Sequence, residues 1–345
     1  NMCQQSNATV VASPSETAKA FPIDEKQNVS KIPLGEMTDE PSMVARYTCA
    51  SIMAAIFAVW GKYAFVEESE APGVNKDSVH DYKFPLFATA IYLISLPILS
   101  RLTSNLNQTY MKLLLKESMV LYNAGQVILN GWMVYRYLDA VWFGNHPWIG
   151  DIHNVTSGAT FAVWIHYCDK YLEFFDTYFM VLRGRMDQVS FLHVYHHFSI
   201  AWAWWAALNL WPGGDAYFGA LLNSMIHVMM YSYYTLSLMR IPCPWKKYLT
   251  MAQLAQFTCV NIYTILSLKY LPEDGDWRHY TCYAIQAFEM TSMFVLFFRF
   301  YKKSYQKKEV KPKGMTPVPS STSVDSDAGS TDSSVSTTNS HTQDD

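Results

Sequence analysis

A chain of 345 residues, 50% hydrophobic and 15% aromatic with a formal net charge of −3, has neither the excess of basic residues of a nucleic-acid binder nor the polarity of a wholly disordered protein. Six cysteines without a CxxC pair argue against a disulfide framework or a zinc module. A mean hydropathy near zero averages two unlike kinds of segment.

Residues 1–44 form a polar extension without a signal-peptide pattern. Eight windows follow that are apolar and long enough to cross a bilayer as helices: 47–65, 84–101, 118–137, 159–182, 191–211, 216–239, 249–269 and 280–300. Alternating strands are absent. Because a chain in lipid must satisfy its own backbone hydrogen bonds, the expected fold is all-α, a polytopic membrane helical bundle. The tail "SSTSVDSDAGSTDSSVSTTNSHTQDD" is too poor in apolar residues to fold, so 306–345 reads as a disordered extension.

Charge orients the bundle. With seven crossings from 84 to 300, loops 101–117, 183–190, 240–248 and 299–313 fall on one side and hold 15 Lys and Arg; the opposite loops hold 3. The basic side is expected to be cytosolic, together with the C-terminus. If 47–65 also spans, the N-terminus is cytosolic too. Of the glycosylation sequons at Asn7, Asn28, Asn107 and Asn154, Asn154 is then lumenal and Asn107 cytosolic.

Charged residues interrupt this pattern at "KYLEFFDT". A mid-helix charge costs about 2.5–3.5 kcal/mol on insertion scales, so Lys170, Glu173 and Asp176 must face the interior. Their i, i+3, i+6 spacing, with Thr177 at i+7, keeps them near one face. An internal ion-pair network that holds helices together is the plain structural reading. In "HVYHH", His193, His196 and His197 share a helical face and present three imidazoles to one place. Two polar stripes follow: Asn223, His227, Tyr231 and Tyr234, then Thr250, Gln253 and Gln256. Each alone fits interhelical hydrogen bonding, worth about 0.6–2 kcal/mol per contact. With the orientation above, all four motifs converge at one depth near the cytosolic side. A polar pocket there, under a longer apolar cavity, suits a water-soluble head group with a lipid tail.

These motifs, in this order, resemble the ELO family of very-long-chain fatty acid elongases over residues 80–305. "HVYHH", "ESMVLYNAGQVILNGW" and "AVWIHYCDKYLEFFDTYFMVLRG" are most similar to algal polyunsaturated elongases of the Δ5 type, which act on twenty-carbon acids. The resemblance implies a seven-helix core at 80–305, with 45–66 an additional transmembrane helix. It implies an endoplasmic-reticulum membrane and condensation of acyl-CoA with malonyl-CoA to 3-ketoacyl-CoA, CoA and CO2, without cofactor or metal. The implied partners are both CoA substrates, membrane lipids and the reductases and dehydratase of the elongation cycle, with no nucleic acid and with a homodimer left open.

The resemblance places His196 and His227 nearest the reacting carbons, with His193 and His197 completing the pocket. A neutral imidazole is nucleophilic near physiological pH, which suits an acyl-histidine intermediate. Glu173 or Asp176 can orient an imidazole; Asn223, Gln253 and Gln256 can donate to the thioester or enolate oxygen. Lys170, Thr177, Tyr231 and Tyr234 are expected to bind substrate. Arg183, Arg185, Lys246 and Lys247 are candidates for CoA phosphates, or simply mark topology. The aromatic run "FSIAWAWWAALNLW" reads most simply as packing against lipid and at the lumenal interface; the alternative has some of Trp204, Trp205 and Leu208 closing the lumenal end of the acyl cavity. Three other readings remain: a di-iron desaturase or hydroxylase, which needs further His boxes; a Cys168 nucleophile, less apt in an apolar segment; and a receptor or transporter.

Overall fold

The computed structural model describes residues 40–67, 82–151, 158–211, 213–271, 273 and 275–305. Asn7, Asn28, Asn154, most of the polar N-terminal extension and the tail lie outside them. The described residues belong to one unit, 1–306.

All eight apolar windows are helical. Helix α1 (Met43–Gly61) continues through a π-helical turn, Lys62–Glu67. It is followed by α2 (Lys83–Thr103), the short α3 (Gln108–Leu114), α4 (Lys116–Trp142), α5 (Gly158–Leu172), α6 (Phe174–Leu182), α7 (Phe191–Leu210), α8 (Ala216–Leu238), α9 (Leu249–Tyr270) and α10 (Trp277–Tyr305). No strand occurs among the described residues. Window 159–182 differs from the expectation in one respect: it is two helices joined at Glu173, so Lys170 and Asp176 lie on either side of a break.

Helix starts follow the local sequence. Ser42 and Ser190 accept hydrogen bonds from Ala45 N and His193 N, both at 3.2 Å, and so cap α1 and α7. Asn107 Oδ1 accepts from Thr109 N and Tyr110 N at 2.9 and 3.2 Å, so this sequon serves as a helix cap.

Polarity is distributed inside out. Large apolar side chains such as Val44, Ile52, Phe87, Ile94, Ile265 and Phe288 are exposed, whereas Asp169, Lys170, Glu173 and His166 are buried. Segments Met43–Phe65, Lys83–Thr103 and Trp277–Lys303 are long and apolar enough to cross a membrane on length and composition alone. The remaining rods carry the polar residues that meet at the centre.

Helix α1 runs along α4. Arg46 at its start pairs with Glu117 at the start of α4. At its far end, Trp60 Nε1 donates to the Cys168 carbonyl at 3.1 Å, and Trp164 Nε1 donates to the Ala64 carbonyl at 3.0 Å. With Phe65 against Trp132 (ring centres 5.1 Å apart), α1 and its π-helical turn follow α4 from Glu117 to Trp132.

The ends of four helices meet at Asp215, which is 1% exposed. Its carboxylate accepts from Gly150 N (3.0 Å), Asp151 N (3.2 Å), Tyr263 OH (3.1 Å) and Tyr283 OH (2.8 Å). This node ties the connection after α4 to the start of α8, the end of α9 and the start of α10, which agrees with the grouping of those loops by charge. Gly214 (φ +56°) fits here because a Cβ would lie 2.5 Å from the Trp211 indole and 2.6 Å from the Asp151 carbonyl.

Candidate active site

Glu173 is the centre of the polar interior. Lys170 Nζ lies 2.5 Å from Glu173 Oε1 and also donates to Asn223 Oδ1 at 3.2 Å. His227 Nδ1 is 3.1 Å from the same Glu173 oxygen, and His197 Nδ1 is 4.0 Å from Oε2. One carboxylate thus touches groups from α5, α7 and α8. At this depth an isolated charge is costly, and mutual pairing with several hydrogen-bonding neighbours is what makes it tolerable.

Two flanks extend this centre. Tyr231 OH donates to Asp176 Oδ2 at 2.7 Å, and Tyr122 OH lies 3.4 Å from Tyr231 OH. On the other flank Gln126 Nε2 donates to Asp169 Oδ1 at 2.9 Å, and Asn130 donates to Gln126 Oε1 at 3.2 Å.

The histidines share one region but meet different partners. His193 Nε2 is 2.9 Å from Thr177 Oγ1, which is itself 2.8 Å from Tyr92 OH. The rings of His193 and His197 are 4.6 Å apart, those of His196 and His197 5.0 Å. His196 faces away from this cluster into a cavity between α7, α8, α9 and α10. Asn223 and Gln256 line the same cavity, whose other walls are largely apolar and include Ile200, Trp204, Phe257, Val260 and Met290. Asn223 belongs to both compartments, because it accepts from Lys170 and also forms cavity wall.

Several expected substrate contacts are placed elsewhere. Lys170, Thr177, Tyr231 and Tyr234 belong to the buried network rather than the cavity wall; Tyr234 packs edge-on against Tyr231 with ring centres 6.0 Å apart. Gln253 is half-buried and does not line the cavity, whereas Gln256, one turn on, does. At the far end the packing reading holds for two of the three residues. Trp204 lines the cavity, but Trp205 and Leu208 pack in the apolar core, and Trp211 with Tyr283 stands at the cavity's end, their rings 5.3 Å apart. Cys168 is a buried thiol in the core between α1 and α5, outside the cavity wall.

The basic loop residues have local partners. Arg185 donates twice to Asp187 at 3.0 Å, which holds that carboxyl below its ordinary range. Arg183 Nε donates to the Phe179 carbonyl at 3.1 Å. Lys246 and Lys247 lie over the rings of Tyr233 and Tyr248.

Sequence reasoning missed Gln126, Asn130, Asp169 and His166, which contribute to the network, and Gln286 and Glu289, which line the cavity. Asn123, Gln126 and Asn130 recur at helical spacing in "NAGQVILN", a signal that was present in the sequence. Ligand atoms of Asp169, Glu173 and His227 lie within 4.8 Å of one another, a spacing that could hold a metal ion. The Lys170 ammonium already occupies Glu173 there, and would oppose a second cation.

Residues 78–313 match the profile of the ELO: GNS1/SUR4 family. The chain belongs to this family. Among curated ELO-family relatives, it is 37% identical to very long chain fatty acid elongase 2 of Rattus norvegicus over 67% of this chain and 83% of the relative. It is 37% identical to elongase 5 of Tachysurus fulvidraco over 56% of this chain and 67% of the relative, and to human elongase 4 over 56% and 63%. The histidine box, the Lys170–Asp176 segment and both later polar stripes all fall inside the ELO match.

Proposed function

We propose that this chain is the condensing enzyme of fatty acid elongation, a very-long-chain 3-oxoacyl-CoA synthase. Membership of the ELO family and the elongase relatives support that activity, which acts on acyl-CoA and malonyl-CoA in a membrane. The observation that carries the chemical reading is the position of His196. It is the one histidine of the box in the wall of an apolar cavity, and its neighbours connect that wall to the Glu173 network.

The reaction divides into two steps. A ring nitrogen of His196 attacks the thioester carbonyl; the carbon–sulfur bond breaks and CoA leaves, taking up the proton the imidazole releases. Malonyl-CoA then loses CO2, and the electrons of the broken carbon–carbon bond form an enolate. Its carbon attacks the acyl group, the carbon–nitrogen bond breaks, and the departing imidazolate takes one proton from water, which restores the neutral imidazole. The products are 3-ketoacyl-CoA and CO2, after CoA in the first step. Asn223 and Gln256, in the same wall, are the donors for the carbonyl oxygen. Glu173 orients His227, and Thr177 with Tyr92 orients His193.

In this reading residues 80–305 carry the activity, α1 is an addition to a seven-helix core, and the basic loops face the cytosol of the endoplasmic reticulum. Twenty-carbon polyunsaturated acyl-CoA is the substrate, on the strength of the resemblance of "HVYHH" and its flanking stretches. The test uses membranes containing this protein with labelled malonyl-CoA and a panel of acyl-CoAs, without NADPH. A 3-ketoacyl product two carbons longer, strongest with twenty-carbon polyunsaturated acyl-CoA, is expected. His196→Ala should abolish it, and a folded variant that kept most activity would remove His196 as the nucleophile.

A further inference from the structure

Glu289 is the only Asp, Glu, Lys, Arg or His between His279 and Arg299 of α10, and none of the reaction steps above uses it. On α10, residues Cys282, Gln286, Glu289 and Met293 form an i, i+4, i+7, i+11 stripe that lines the cavity opposite His196. Glu289 is 3% exposed. Its Oε2 accepts from Tyr195 OH at 3.4 Å and Ser292 Oγ at 3.3 Å, and the Ser199 hydroxyl, one turn on from Tyr195, is a further neighbour of the carboxyl, while Oε1 makes no well-formed hydrogen bond. Tyr195 directly precedes His196, which sets the Glu289 carboxyl level with the first turns of α7.

A buried carboxyl oxygen without a partner is costly. A hydrocarbon chain beside it would leave that cost standing, whereas a polar group of the substrate would relieve it. A thioester carbonyl only accepts. A secondary amide both donates and accepts, and therefore satisfies a carboxyl group in either protonation state. In acyl-CoA the first amide of the pantetheine arm lies two methylenes from the thioester sulfur. A carboxyl beside the reacting histidine is placed to meet it.

We infer that Glu289 is a positioning residue that holds the first pantetheine amide of the acyl-CoA and so sets the thioester carbon against His196. This rests on the elongase reading. It also assigns a direction, with the head group at the His196–Glu289 level and the tail running towards Trp211 and Tyr283.

The test compares two thioesters of one acyl group: an N-acetylcysteamine thioester, which keeps the first amide, and an S-butyl thioester, which lacks it. Condensation with saturating malonyl-CoA is measured for the wild type, E289Q, E289L and E289M. The wild type should show kcat/KM about tenfold higher for the amide-bearing thioester, a ratio within reach of one buried hydrogen bond. E289Q, whose amide can both donate and accept, should keep the preference. E289L and E289M should abolish it, mainly through KM. Because each enzyme is its own reference, a packing defect or low expression lowers both rates together and leaves the ratio unchanged. A wild type indifferent to the amide, or an apolar variant that kept the full preference, would overturn the assignment. No product from any acyl thioester with the wild type would instead overturn the elongase reading itself.

Discussion

Replacing Lys170 by Met removes the ammonium that lies 2.5 Å from Glu173 and leaves a fully buried carboxylate among imidazoles and the Asp169 carboxyl group. Breaking a buried ion pair by deleting one partner costs about 3–5 kcal/mol, whereas replacing both partners with neutral side chains of similar volume is often neutral. For a chain of this size that loss corresponds to a fall in melting temperature of roughly 4–7 °C. Adding Glu173→Gln to the Lys170→Met background should recover most of it. The assay is thermal unfolding of detergent-solubilised protein followed by tryptophan fluorescence, with all four members of the cycle measured in one detergent. A double variant no more stable than Lys170→Met would refute the view that unpaired charge is the source of the loss, and would return Lys170 to a packing role.

Asp215→Ala leaves the Tyr283 hydroxyl and two backbone amides without their acceptor and Tyr263 with the Trp148 carbonyl alone, at about 1–3 kcal/mol for each group that water does not reach. It should lower the melting temperature and open the segment 143–151 to protease, and an unchanged cleavage pattern would rule out the node as a clamp. Trp211→Ala should extend the cavity and shift products to longer chains, while Trp205→Ala should leave the product profile unchanged; the profile is read by gas chromatography of total fatty acids. Activity should survive dialysis against EDTA, and a loss restored by one divalent metal would assign Asp169, Glu173 and His227 as its ligands.

The eight rods were legible because apolar windows of membrane length have few other uses. The polar interior was legible where charge was dense: Lys170, Glu173 and Asp176 on one segment, three histidines on the next. Sparse signals were passed over. Glu289 is the one charged residue in the middle of its helix, between His279 and Arg299, yet the insertion cost that drew attention to Glu173 applies to it equally. Asp215 lies in a loop, where a carboxylate is ordinary, and its four donors come from three other parts of the chain. Sequence spacing carries no information on such a meeting. The joint at Glu173 has neither glycine nor proline to announce it. The expected roles of Thr177, Tyr231 and Gln253 rested on shared helical faces, but a face only states which side a residue takes. Which neighbour fills that side is decided by how the helices are rotated against one another.

The Asp215 node lies directly behind Trp211 and Tyr283, so the cavity has a blind end there, with both rings almost wholly shielded. The depth of the cavity at that end is therefore set by where three segments of chain are tied together, and not by the rotamer of one side chain. Loosening the tie at Asp215 should change the room beyond Trp211 as well as the stability of the bundle.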